Sequence, residues 1–212
     1  MADDRRTVRS ALDRAGVRGT SDFGRFVNNT THFRPSEFDA VAAAPTLLDL
    51  LPALSDPGVV AAVGRHLQGV QVRRYPGAYE SVRTAYLEWA PLPGETGWVL
   101  GDTLCKASDK SRGPDLLYLA GRSDDGTSRQ CIVESLWRFK NSVDVETSLR
   151  VLVTDRDVVL QAMSALQRTI GAEGMVGVLE ELLSNTDDPK IRQAAERKLR
   201  TLRRKLGSAA DD

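Results

Sequence analysis

The residues best placed for chemistry are cations that recur at a near-constant spacing. Lys106, Arg138, Arg168 and Arg200 each follow closely on a leucine: Leu104, Leu136, Leu166 and Leu199. Their chemistry is anion binding, because long cationic side chains reach carboxylates and phosphates alike. If the elements that carry them stack side by side, the four form a basic column. Lys110, Arg112, Arg203 and Arg204 would extend it. A purely structural role competes, since a cation near a helix C-terminus gains about 0.3–1 kcal/mol from the helix dipole.

No other constellation points to catalysis. The chain has no phosphate loop, Gly-rich dinucleotide turn, metalloprotease helix or nucleophile elbow. Asp124-Asp125-Gly126 loosely suggests a calcium loop. With Gly126 at the sixth place, however, Gly121, Ser123 and Ile132 fall at the first, third and last positions, so the oxygen ligands are missing. His32 and His66 are isolated, and Cys105 and Cys131 have no zinc spacing. Relative to their leucines the two cysteines are offset by about 9 Å along the helix axis. A disulfide needs Cα atoms within about 7 Å, so two reduced, buried thiols are expected. No catalytic residue, metal or cofactor is expected.

Formal net charge is zero over 212 residues. Nonspecific attraction to nucleic acid is therefore not written into the total. The balance hides an asymmetry, because residues 190–205 hold eight basic residues against the single acid Glu196. Hydrophobic residues make up 41% and charged residues 27%, ordinary values for a globular chain. No apolar run approaches the roughly 20 residues that span a bilayer, and the start of the chain does not read as a signal peptide. A cytoplasmic protein with no membrane contact is expected.

The elements that would carry the cations follow from a second recurrence. Asp56, Asp125, Asp155 and Asp188 are each followed eleven residues later by a leucine: Leu67, Leu136, Leu166 and Leu199. Apolar residues at helical spacing lie between them. Adding Leu104, the leucine spacings are 37, 32, 30 and 33 residues. The pattern predicts helical hairpins, with first helices at 45–54, 79–89, 114–122, 143–153 and 174–183. The second helices are expected at 59–70, 97–107, 127–139, 155–170 and 189–206. Each aspartate is expected to cap its second helix, Pro57 and Pro189 suiting the first helical position. Arg129 and Arg192, four residues past Asp125 and Asp188, are expected to reach back to those aspartates. Gly171 should stop the helix before it, and Trp89, Trp98 and Trp137 are expected in the core.

Residues 1–43 read differently. After a helix at 3–15, four of the five phenylalanines follow, Phe23, Phe26, Phe33 and Phe38. They are either a cap over the end of the array or an aromatic-lined groove for a partner peptide. The expected organisation is thus a helical cap at 1–43, repeats at 44–206 and a disordered tail at 207–212.

The second-helix signature, clearest in Asp188-Pro189-Lys190-Ile191-Arg192-Gln193-Ala194-Ala195 leading to Leu199, resembles the HEAT-repeat family, an armadillo-like group of α-solenoids. The resemblance covers residues 45–206 and is weakest at 79–107. It implies an all-α fold, a right-handed α–α superhelix of about five helical hairpins. It implies a non-catalytic protein–protein interaction module, binding a partner with an acidic segment on the second-helix face. The alternative is a nucleic-acid-binding protein. Some HEAT-like proteins excise alkylated DNA bases with aromatics and a carboxylate on a basic face, for which Trp98 or Trp137 with Asp102 or Glu134 would stand.

Overall fold

Aspartate side chains start four of the helices in the computed structural model, which describes residues 2–23, 38–141 and 144–208. Asp39 accepts from Ala42 N at 3.0 Å and opens α2 (Ala40–Leu50). Asp56 accepts from Gly58 N and Val59 N at 2.8 and 3.1 Å and opens α3 (Pro57–Gln68). Asp144 accepts from Thr147 N at 3.2 Å and opens α8 (Val145–Leu152). Asp188 accepts from Lys190 N and Ile191 N at 2.8 and 3.1 Å and opens α10 (Pro189–Ser208). Each satisfies amides that the first turn of a helix leaves without partners.

The other helices are α1 (Ala2–Arg14), α4 (Ala78–Trp89), α5 (Thr96–Ala107), α6 (Gly113–Ala120), α7 (Gln130–Ser135) and α9 (Val159–Asn185). The described residues are all-helical, with no strand. They form two compact units, Met1–Asp109 and Lys110–Asp212. Leu67, Leu104, Leu136 and Leu166 are fully buried, and Leu199 nearly so, as the recurrence requires. α2 begins earlier than its apolar pattern suggested, so Pro45 lies inside the helix rather than at its start.

In the first unit α1 buries Val8 and Leu12 and packs on α2. Asp4 accepts from Ser55 N and Asp56 N, both at 2.6 Å, and these backbone amides hold its carboxyl below the usual carboxylate range. α3 packs on α5 and α5 on α4. Gly64 makes the α3–α5 approach close, because a Cβ there would lie 2.8 Å from Val99 Cγ1. Thr103 Oγ1 donates across it to Gly64 O at 3.2 Å. Phe23 and Phe38 are buried around His66 of α3, with ring centroids 5.4 and 4.3 Å from the imidazole. Phe26 and Phe33 lie outside the described residues, as do residues 209–212 of the tail.

The second unit departs from the simple hairpin reading at two aspartates. Asp125 does not cap a helix. It is buried and accepts from Arg122 Nε and Nη2 at 3.1 and 3.3 Å. Residues Ser123–Arg129 form a 3-10 segment bent at Gly126, whose φ of 49° is a left-handed value that favours glycine. α7 therefore starts five residues past Asp125 and runs only to Ser135, before a 3-10 turn at Leu136–Phe139. Asp155 starts no helix either: its Oδ1 accepts from Asp157 N at 2.9 Å within a turn, and α9 begins only at Val159. Gly171, with φ 82° and ψ 178°, breaks α9 into two arms. The helix ahead of it stops there as expected, and the next one follows without a loop. α9 packs against α7, α8 and α10.

Asp155 instead receives Arg129, which does not reach back to Asp125. Arg129 is 1% exposed. Its Nη2 donates to Asp155 Oδ2 at 2.5 Å, its Nη1 to Ala120 O at 2.9 Å and its Nε to Gly126 O at 3.2 Å. Arg192 also turns away from its aspartate, donating to Thr186 O at 2.6 Å. In both cases the guanidinium finds other acceptors than the aspartate four residues back.

Two consequences are measurable. Arg129→Met keeps the bulk but strips Asp155 and two carbonyls of their donor. It should lower the unfolding free energy by about 3 kcal/mol in urea, and Asp155→Asn by about 1 kcal/mol, because Asp155 is partly exposed. Burial lowers the His66 imidazole from its ordinary 6.5 to about 4. The unfolded chain therefore binds that proton first, and stability should fall as pH drops from 6.5 towards 4. The slope contributed is at most about 1.4 kcal/mol per pH unit. An NMR titration placing His66 near 6.5, or a His66→Phe variant with the same acid dependence as the wild type, would contradict this.

Candidate functional site

Three of the four cations singled out from the spacing lie in the second unit, and all four are exposed. The turn Leu136–Phe139 presents Trp137, half-buried, and Arg138, exposed. The Arg138 guanidinium carbon lies 5.4 Å from the Phe139 ring centroid. Phe139 itself is buried and packs so closely on Gly113 that a Cβ there would lie 3.0 Å from its ring. The first arm of α9 then brings Arg168 over the Trp137 ring, 5.2 Å from its centroid. That is cation–π geometry, which restrains the guanidinium.

α10 contributes Lys198. Burial lowers its pKa, and the like charges of Lys205 and Arg168 add to the effect. Lys198 and Lys205 are seven residues apart, two turns, and share one stripe of the helix. Among the described residues, no carboxylate forms an ion pair with Arg168 or Lys198. Trp137, Arg168, Lys198 and Lys205 thus lie together as a basic patch with an aromatic centre, and Arg138 is exposed next to Trp137 in the chain.

Arg200 is elsewhere. It follows Leu199 by one residue, whereas Arg138 and Arg168 follow their leucines by two. It lies with Leu183, Glu196 and Arg203 around a hollow on the other flank of α10. There Arg203 pairs with Glu180 at 2.7 Å. Two residues along a helix turn the side chain by roughly 200°, so Lys198 rather than Arg200 neighbours Arg168. Spacing along the chain missed Lys198. The only signal was its place in the basic run 190–205, and the packing of α10 on α9 selects it from that run. Lys106 belongs to the first unit, where its Nζ pairs with Asp102 Oδ2 at 2.8 Å.

The aromatics diverge from expectation as well. Trp98 is 43% exposed, and Trp89 and Trp137 are only half-buried. Asp102, the carboxylate one turn past Trp98, is held by Lys106. Neither cysteine is in a disulfide; Cys105 is buried and Cys131 half-buried. Among the described residues, no cluster of three His, Cys, Asp or Glu side chains is gathered to hold a metal ion. No helix among them is long and apolar enough to cross a membrane.

The crowding of Lys198 has a testable sign. Its proton is held less tightly in the folded state than in the unfolded chain. The resulting penalty is present at neutral pH and fades as pH rises towards 10.5. Lys198→Met should raise the thermal midpoint at pH 7 by about 2 °C and reduce the stabilisation that added salt gives the wild type. A lowered midpoint with an unchanged salt response would mean that the lysine is stabilising where it stands. Comparison of the chain with family models, with characterised proteins and with solved structures returns no match.

Proposed function

We propose that this protein is a non-catalytic interaction module, built from stacked helical hairpins in the HEAT-like manner, that grips an acidic segment of a protein partner. The grip is the basic face of the second unit, centred on Trp137. One observation carries the reading: Arg168 lies over Trp137 and crowds Lys198, with no carboxylate pairing either among the described residues. Like charges held together lower the stability of the free protein, and an acidic ligand relieves the repulsion. Tryptophan and arginine together are also the residue types that dominate binding energy at protein interfaces. Stacking restrains Arg168 before the partner arrives, which reduces the ordering cost of binding. The recurring Asp–Leu spacing and the buried leucines support the stacked-hairpin part of the reading.

The test is charge reversal. The double variant Arg138→Glu, Arg168→Glu should lose a protein that the wild type captures from nuclease-treated lysate. Helix content by circular dichroism should stay the same, because both side chains are exposed. Captured protein that persists with the double variant would rule out the basic face. Nuclease-sensitive capture, with affinity falling on the order of a thousandfold between 50 and 200 mM salt, would make the face a nucleic-acid surface instead.

A further inference from the structure

The first unit carries a separate cluster of cations. α1 buries Val8 and Leu12 on one side. Its other side turns Arg5, Arg6, Arg9, Ser10 and Arg14 into an open hollow whose far wall is the start of α3, at Gly58 and Val59. The hollow measures about 1020 Å³, ample for a small ligand. Two carboxylates also line it, Asp13 and Asp56, and both are engaged. Asp13 Oδ1 accepts from Thr20 Oγ1 at 2.6 Å, and Asp56 Oδ1 accepts the α3 amides. Asp4 is turned away to Ser55 N and Asp56 N.

The arginines are not neutralised in return. Arg14 Nε donates to Ser10 O at 3.3 Å and Arg9 Nη2 to Ser21 O at 3.2 Å, both backbone carbonyls. Arg9 Nε is shielded from solvent and makes no hydrogen bond. Among the described residues, Arg5 and Arg6 have no ion-pair partner. Shielding a charged donor without an acceptor is costly, and four guanidinium groups facing one hollow repel one another.

We propose that this hollow is an anion site for a chain or cluster of adjacent phosphates. Guanidinium forks match phosphate oxygens in pairs, and the Ser10 hydroxyl supplies a neutral donor beside them. From residue 5 to residue 14 the helix spans about 13 Å, too long for one carboxylate to neutralise. No aromatic side chain lines the hollow, so it recognises phosphate and not a base. The same chemistry is offered by a soluble oligophosphate and by a bisphosphorylated lipid headgroup. The site lies wholly in the first unit, so it stands or falls independently of the basic face of the second.

The experiment is calorimetric titration of the full chain with tripolyphosphate at low salt, with sulfate as the weaker anion. The Arg5→Gln, Arg6→Gln double variant should weaken binding by about tenfold or more, the equivalent of one charge-assisted hydrogen bond. Both residues are exposed, so the fold should be unaffected. An Arg73→Gln, Arg74→Gln variant removes the same charge from another exposed place in the same unit and should bind as the wild type does. Phosphatidylcholine vesicles with and without phosphatidylinositol bisphosphate then separate the two sources. Capture by the bisphosphate vesicles, reversed by tripolyphosphate, assigns the headgroup; tripolyphosphate binding without vesicle capture assigns a soluble ligand. No heat with tripolyphosphate, equal losses in both double variants, or tighter binding to duplex DNA than to tripolyphosphate would overturn the proposal.

Discussion

A single buried guanidinium organises the second unit. Arg129 meets the last carbonyl of α6, the carbonyl of Gly126 in the 3-10 segment and the Asp155 carboxylate in the α8–α9 loop. A charge taken out of water persists only where acceptors surround it, so these three pieces of chain are held at one point. α7 leaves that point towards Trp137, and α9 leaves it towards Arg168. The contact between the Arg168 guanidinium and the Trp137 ring depends on both departures. The geometry of the basic face therefore traces back to an interaction that is not part of it.

The distribution of acids explains how a chain with zero net charge can present unneutralised cations. Asp4, Asp39, Asp56, Asp144 and Asp188 are occupied with backbone amides. Asp125 and Asp155 are engaged by arginines inside the second unit. These carboxylates stabilise helix starts and loop closures, where amide donors would otherwise go unsatisfied. Asp13 and Asp56 line the hollow beside the α1 arginines but are engaged by Thr20 and by the α3 amides, and among the described residues no carboxylate pairs with Arg168 or Lys198. Formal charge summed over the sequence conceals this separation, because it counts a capping carboxylate and a surface carboxylate alike.

Much of the local structure could be read from the sequence because it is set by neighbours along the chain. Asp56-Pro57 and Asp188-Pro189 begin helices, since the cap and the fixed proline φ act within one turn. Gly171 breaks its helix because of its own backbone conformation. The repeated leucines are buried because helical periodicity keeps them on one face.

What local rules did not reach was the choice among partners distant in sequence. Arg129 bypasses Asp125 for Asp155, 26 residues on, because folding brings the later carboxylate to a site already rich in carbonyl acceptors. Trp98 is exposed although its helix is amphipathic, because burial depends on which neighbours arrive. Lys198 replaces Arg200 beside Arg168 because the rotation of α10 about its axis is set by how Ile191, Ala195, Leu199 and Leu202 seat in the core. Where helices form and which leucines they bury is set by interactions within a turn or two of the chain. Tertiary packing decided which charges meet, because that depends on the rotation and approach of whole helices.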